Sequence, residues 1–262
     1  MTIKRRLRLF DLAFAAAGGL LLLFIVAPLA SLLLGAPPAA LVDALVDAEV
    51  VQALGVTFLA AALATCLALL TGVPLAYLLA RRRFRGKRLI QALVTLPVVV
   101  PHTSAGVALL LVFGRRGLLG GWLAPLGLLF TDSLWGVVVA MLFVSLPFLV
   151  TMSTEAFALV GEEMEGVAQT DGATPWQAFW LITLPQAGRG VLGGALMMWA
   201  RGISEFGAVV ILAYNPKVVP VLVFERFQGY GLSAAQPVAA VLIVVALLVF
   251  ALLRLAFLPE KE

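Results

Sequence analysis

Arg201 and Glu205 stand four residues apart in a strongly apolar stretch, so on a helix they share one face and can pair. A charge near the middle of a bilayer costs about 2.5–3.5 kcal/mol on insertion scales, which directs both side chains toward protein rather than lipid. Two readings stay open. The pair can border a path through the membrane, or it can be an internal ion pair that orders helix packing. Gly202 and Gly207 beside it permit close helix approach under either reading. A polar solute cannot shed water without replacement hydrogen bonds; Thr103, Ser104 and Ser204 supply hydroxyls nearby. His102, the sole histidine, reads as a structural or polar pore residue ahead of a proton relay or metal ligand.

The chemistry that is missing narrows the field. No Gly-x-x-x-x-Gly-Lys-Ser/Thr loop is present to cradle phosphates: Gly86-Lys87 is followed by Arg88 and has no glycine five residues earlier. Nor is there an HExxH, CxxC or GxSxG pattern, so a catalytic reading has no starting residue. The single cysteine, Cys66, lies in an apolar run, which excludes an intrachain disulfide and a cysteine cluster for metal. The expectation is a non-catalytic chain with no cofactor or metal of its own.

These residues must be positioned by membrane helices. Of 262 residues 63% are hydrophobic and 12% charged, against roughly 45–50% and 25% in soluble domains. A bilayer needs about 20 apolar residues per helical span, and six segments qualify: 9–34, 51–80, 89–113, 134–154, 189–214 and 234–257. The expected fold is an all-α membrane protein with six transmembrane helices, a single domain over 1–262. The first segment is too long for a signal-peptide core and is kept as a span. The formal net charge of +4 is read as a topology signal, not as a sign of nucleic acid. Lys4, Arg5, Arg6 and Arg8 and the run RRRFRGKR (81–88) belong in the cytoplasm, whereas the 36–50 loop has acids and no base. Both termini, including LPEKE, and the 155–188 loop are then cytoplasmic. Arg115 and Arg116 oppose this assignment but are outnumbered.

Several spans carry breakers: Gly72 and Pro74 in the second, Pro97 and Pro101 in the third, Pro147 in the fourth. Pro97 and Pro101, four apart, remove successive helical bonds and free the carbonyls of Leu93 and Pro97. Broken backbone at membrane depth is tolerated where it is buried in protein or lines a watery cavity.

The stretch EEMEGVAQTDGATPWQAFWLITLP (162–185) is neither a span nor an ordinary loop. Glu162 to Asp171 favours helix, Gly172 suits a left-handed helix end, and Thr174-Pro175 offers a cap and first turn for a second helix through Trp176, Phe179 and Trp180. Leu184-Pro185 closes the unit. Glu162, Glu163, Glu165 and Asp171 keep its first half off anionic lipid, leaving Met164, Val167 and Ala168 to be presented to a neighbour; a solvated or interfacial surface helix is the alternative.

Gly172 followed by nine residues and Ile182-Thr183-Leu184-Pro185 resembles the cytoplasmic loop signature of ABC importer permeases, EAA, three residues, G, nine residues, I-x-L-P. Gly166, Val167 and Ala168 occupy the EAA positions, and Glu165 lies one place earlier. The resemblance implies a coupling helix, within about 158–186, that docks on a separate ATPase subunit through Glu165, Gly166, Val167, Ala168, Gly172, Ala173, Ile182, Leu184 and Pro185. Residues 72–106 and 142–160 are similar to sulfate and molybdate permeases. Residues 199–240, with SEFGAVVILAYNP and then ERF and YGL, look most like molybdate/tungstate permeases.

What this implies is a multi-pass inner-membrane permease subunit of an ATP-driven importer, with molybdate or tungstate as cargo, or sulfate or thiosulfate as the alternative. An ion-coupled secondary transporter is the remaining reading. The implied partners are ABC ATPase subunits holding ATP and Mg, a second permease subunit expected to be an identical copy, and an extracytoplasmic oxyanion-binding protein, all in membrane lipid. Pro97, Pro101, His102, Thr103, Ser104, Arg201, Ser204 and Glu205 are the candidate pathway or gate residues.

Overall fold

The computed structural model describes residues 3–257; LPEKE at the C-terminus lies outside the described residues. Among the described residues every regular element is helical: α1 (Ile3–Leu34), α2 (Pro38–Val46), α3 (Ala48–Arg81), α4 (Lys87–Val99), α5 (His102–Phe113), α6 (Gly120–Leu123), α7 (Leu134–Leu159), α8 (Glu162–Thr170), α9 (Pro175–Ala178), α10 (Leu184–Ile203), α11 (Gly207–Leu212), α12 (Val219–Tyr230) and α13 (Leu232–Phe257). A 3-10 turn (Ala124–Leu126) follows α6, and a π-helical turn (Phe179–Thr183) joins α9 to α10.

Four helices are long and apolar enough to cross a bilayer unbroken: Phe10–Leu34, Ala48–Arg81, Leu134–Leu159 and Leu232–Ala256. The third expected span is not one rod. α4 and α5 meet at a bend of 116°, because Val100 precedes Pro101 and is held extended (φ −72°, ψ 129°), and Pro101 then caps α5. Pro97, by contrast, stays inside α4 without breaking it. The fifth expected span also differs. Its helix begins at Leu184 rather than near 189, with Pro185 in the first turn where its missing N–H is harmless, and it stops at Ile203. After the break at 204–206 comes α11, of 6 residues.

The core lies among α3, α7 and α10. α3 buries a ladder of small residues, Ala53, Thr57, Ala60, Ala61, Ala64, Ala68, Gly72 and Ala76, which lets neighbouring backbones come close. α7 answers with bulk: Val137, Val138, Met141, Val144, Leu149 and Phe157. The threonines on this face do not stay unpaired. Thr57 and Thr65 donate to carbonyls four residues back, at 2.6 and 2.8 Å, and Thr57 also accepts the Val219 N–H at 2.9 Å, fixing the start of α12 on α3.

At that end of α3 the acidic loop finds its cations far away in sequence. Lys217 lies 2.8 Å from Glu49 and 2.7 Å from Glu225, and Arg226 lies 2.7 Å from Asp47. Asp47 also caps α3, accepting from the Glu49 N–H at 2.8 Å. Hydrogen bonds to Glu225 and Glu49 push the Lys217 ammonium well above its ordinary range, so it stays charged.

Candidate functional site

The 162–185 unit folds as its residues dictate. α8 ends in a Schellman motif: the Ala173 N–H bonds the Ala168 carbonyl at 2.9 Å and the Gly172 N–H the Gln169 carbonyl at 3.1 Å. This turn needs a left-handed residue, and Gly172 has φ +96°. Thr174 then caps α9 in a reciprocal box with Gln177, whose side-chain oxygen accepts the Thr174 N–H at 2.8 Å, and Pro175 opens the helix.

Glu165 holds this unit onto the membrane helices. Its carboxylate is buried and accepts three hydrogen bonds: from Arg81 Nε at 2.8 Å and Tyr77 Oη at 2.9 Å on α3, and from Thr183 Oγ1 at 2.7 Å on the π-helical turn. Arg81 Nη1 donates onward to the Phe157 carbonyl at the end of α7, at 2.8 Å. Three segments therefore meet at one carboxylate, and Arg81 ties in α7 as a fourth. Burial pushes the Glu165 carboxyl up, but the hydrogen bonds from Thr183, Arg81 and Tyr77 outweigh it and hold the group below its ordinary value. Around it Tyr77, Phe157 and Phe179 pack as rings 4.9–6.0 Å apart.

The opposite side of α8 is open. Met164 and Val167 are exposed, flanked by Glu162, Glu163 and Gly166. Gly172 and Pro185 are also exposed, and Ala168, Ala173, Ile182 and Leu184 are half-buried. Of the residues expected to face a partner, Glu165 alone turns fully inward. Sequence reasoning missed Tyr77, Arg81 and Thr183. Arg81 had been counted only as a topology charge and Thr183 as the free position of I-x-L-P.

The second cluster forms where α5 meets the end of α10 and the start of α11. Glu205 is fully buried; its Oε2 lies 3.0 Å from Arg201 Nη2 and 3.0 Å from His102 Nδ1, and its Oε1 accepts the Ala208 N–H at 2.9 Å at the start of α11. Arg201 Nη2 lies 2.9 Å from His102 Nε2. The same Nη2 lies 2.8 Å from His102 Nδ1, so the guanidinium faces both ring nitrogens. The backbones are in direct contact here. A Cβ on Gly207 would lie 2.8 Å from His102 Cβ, and one on Gly106 would lie 3.0 Å from the Ala208 backbone.

The structure thus joins Arg201 and Glu205, a pairing that their spacing allowed, although α10 ends at Ile203 before Glu205 is reached, and brings His102 to them. Ser204 is exposed beside them, with Arg201 Nη1 donating to its Oγ at 3.3 Å. Thr103 and Ser104 are exposed in the first turn of α5, Pro101 is exposed at the bend, and Pro97 is buried one turn away.

Residues 72–260, which include both clusters, match the family described as the binding-protein-dependent transport system inner membrane component. The chain belongs to that family. Among relatives of this transport family, it is 42% identical over 243 residues to the molybdate/tungstate transport system permease protein WtpB of Thermococcus kodakarensis, covering 92% of this chain and 93% of the relative. It is 34% identical over 210 residues, 79% of this chain and 76% of the relative, to the sulfate transport system permease protein CysT of Escherichia coli. In fold it is similar to a subunit of a bacterial ABC transporter involved in the import of the acidic polysaccharide alginate, with a TM-score of 0.76 at 18% identity over 99% of this chain and 98% of that one. It also resembles a chain of the MetNI methionine ABC transporter in an inward-facing form, with a TM-score of 0.62 at 17% identity over 79% and 92%.

Proposed function

We propose that this chain is the membrane-spanning subunit of an ATP-driven importer that carries molybdate or tungstate into the cytoplasm by alternating access. The observation that carries the cargo is the 42% identity to a molybdate/tungstate permease along nearly the whole chain. The same class of cargo suits the Arg201 cluster, one partly exposed guanidinium balanced by a buried carboxylate: an anion is attracted without being trapped. Selectivity is then imposed before entry, by a separate oxyanion-binding protein outside.

In this reading the single domain crosses six times, through α1, α3, the bent α4–α5 pair, α7, the α10–α11 pair and α13, with both termini cytoplasmic as the basic clusters require. Two copies pair. The exposed face of α8 docks on an ATPase subunit that holds ATP and Mg, since no phosphate loop exists here. Closure of the ATPase pair draws the docking units together; Glu165 passes the movement to α3 and, through Arg81, to α7, and the helices rock between inward and outward states. Glu165 acts as an internal strut, and Met164 and Val167 supply the docking contact.

The test is uptake of molybdate by vesicles holding the permease, its ATPase and its binding protein. The expected result is ATP-dependent uptake, blocked by tungstate and less well by sulfate. Uptake of sulfate in preference to molybdate would replace the cargo with that of the CysT relatives, and gradient-driven uptake by the isolated chain would replace the mechanism.

A further inference from the structure

Arg81 and Arg82 are neighbours with opposite surroundings. Arg81 is buried and bonded to Glu165 and the Phe157 carbonyl, whereas Arg82, just past α3, donates its backbone N–H to the Leu78 carbonyl at 2.9 Å but has an exposed side chain that among the described residues makes no hydrogen bond or ion pair. Arg82 stands at one end of an open groove of about 540 Å³. Its walls are apolar: Leu70, Val73 and Pro74 of α3 on one side, and Trp176, Phe179 and Trp180 on the other.

We propose that this groove binds an anionic phospholipid, an acyl chain lying along α3 and the phosphate at Arg82. From Leu69 to Arg82 the groove follows α3 for roughly 20 Å at about 1.5 Å per residue. One leaflet of hydrocarbon is about 15 Å deep, so the groove runs from headgroup level to about the bilayer centre. Trp176 and Trp180, 70% and 48% exposed with rings 5.7 Å apart, stand at its lip, and indoles favour that boundary. Among the residues lining the groove Arg82 is the one charge, its neighbour Arg81 being taken up by Glu165, and this cation favours a net negative headgroup over a zwitterionic one.

The occupant therefore needs an apolar length of about one leaflet ending in an anion, which is what an anionic phospholipid supplies. A second copy's α1 fits less well. By sequence it begins with Lys4, Arg5, Arg6 and Arg8 on the same basic face, and would bring cations to Arg82.

The test reconstitutes the full chain in phosphatidylcholine vesicles that contain either phosphatidylglycerol with brominated chains or the same fraction of brominated phosphatidylcholine, and reads quenching of tryptophan emission. The groove should favour brominated phosphatidylglycerol roughly fivefold, the enrichment that one surface arginine gives. Arg82→Ala should abolish the preference while leaving quenching by phosphatidylcholine, and Arg82→Lys should restore most of it. A Trp176→Phe, Trp180→Phe double variant should lose the preference, because the remaining tryptophans lie elsewhere. Equal quenching by both lipids, or a preference that survives Arg82→Ala, overturns the proposal. So does shielding of Trp176 and Trp180 from both lipids, which would mean that protein covers the groove.

Discussion

Glu165 and Arg81 lie 84 residues apart in sequence and meet in an ion pair of 2.8 Å, with side chains only 10% and 6% exposed. The carboxylate comes from the 162–185 unit and the guanidinium from a membrane helix, so the pair fastens one to the other. Its removal is expected to be felt both as stability and as transmission.

Breaking a buried pair by deleting one partner costs about 3–5 kcal/mol, because the other charge stays buried and unpaired. Glu165→Ala is therefore expected to lower the thermal unfolding midpoint of the purified complex clearly, and Glu165→Gln, which can still accept from Tyr77 and Thr183, less. With Glu165→Gln the ATPase should remain bound while cargo moved per ATP falls. Unchanged stability and unchanged coupling in Glu165→Ala would remove the strut from the account.

The same pair sets a pH dependence. Glu165 is held below its ordinary value of 4.5, so it contributes stability that is fully present above about that pH and is lost as pH falls through the depressed folded value. Proteolysis within 162–185 should therefore accelerate on acidification below about pH 4.5 in the wild type. Glu165→Gln should lack that component, its cleavage rate starting higher and changing less.

Where α5 meets α11, glycine is demanded by contact rather than by dihedral. Gly207→Ala would place a methyl 2.8 Å from His102 Cβ and 3.1 Å from the Thr103 nitrogen. Overpacking of this kind costs about 1–3 kcal/mol and is expected to separate α5 from α11. Transport should fall while the ATPase stays docked, since the docking unit is untouched. Wild-type uptake with Gly207→Ala would show that this junction can loosen without consequence.

Arg201→Met removes the partly exposed cation beside Ser204 and leaves Glu205 with His102 and the Ala208 N–H. The expected outcome is uptake reduced by about tenfold or more, the order that one desolvated charge interaction supplies, with basal ATPase activity retained. Transport at wild-type rate would assign Arg201 to packing alone, the other reading its spacing allowed.

Much of this was legible in the residues. Helical caps are local chemistry, so Gly172, Thr174 and Pro175 declared the turn between α8 and α9. The Arg201–Glu205 pair was expected from helical spacing, and it forms even though α10 ends at Ile203 and Glu205 sits in the break. What could not be read was long-range. Nothing local distinguishes Arg81, which is buried against Glu165, from Arg82, which is exposed; the difference arises only when α8 folds back on α3. The pairing of Asp47 and Glu49 with Arg226 and Lys217 was hidden for the same reason. The breaks after α4 and after α10 were half visible. Pro101 announced a breaker, but only the folded chain shows that the bend falls at Val100–Pro101 rather than at Pro97, and no proline marks the break at 204–206.

The most direct test of the docking claim is to extract the tagged chain in mild detergent with its partners present and weigh the ATPase that comes with it, for wild type and Gly172→Val. At φ +96° a branched residue strains the turn by about 1–2 kcal/mol, although a Cβ there meets nothing within 4 Å, so the substitution distorts the unit without a clash elsewhere. The account predicts a stoichiometric ATPase with the wild type and its loss with Gly172→Val, the variant chain remaining inserted. An ATPase bound equally by both, or by neither, would contradict it.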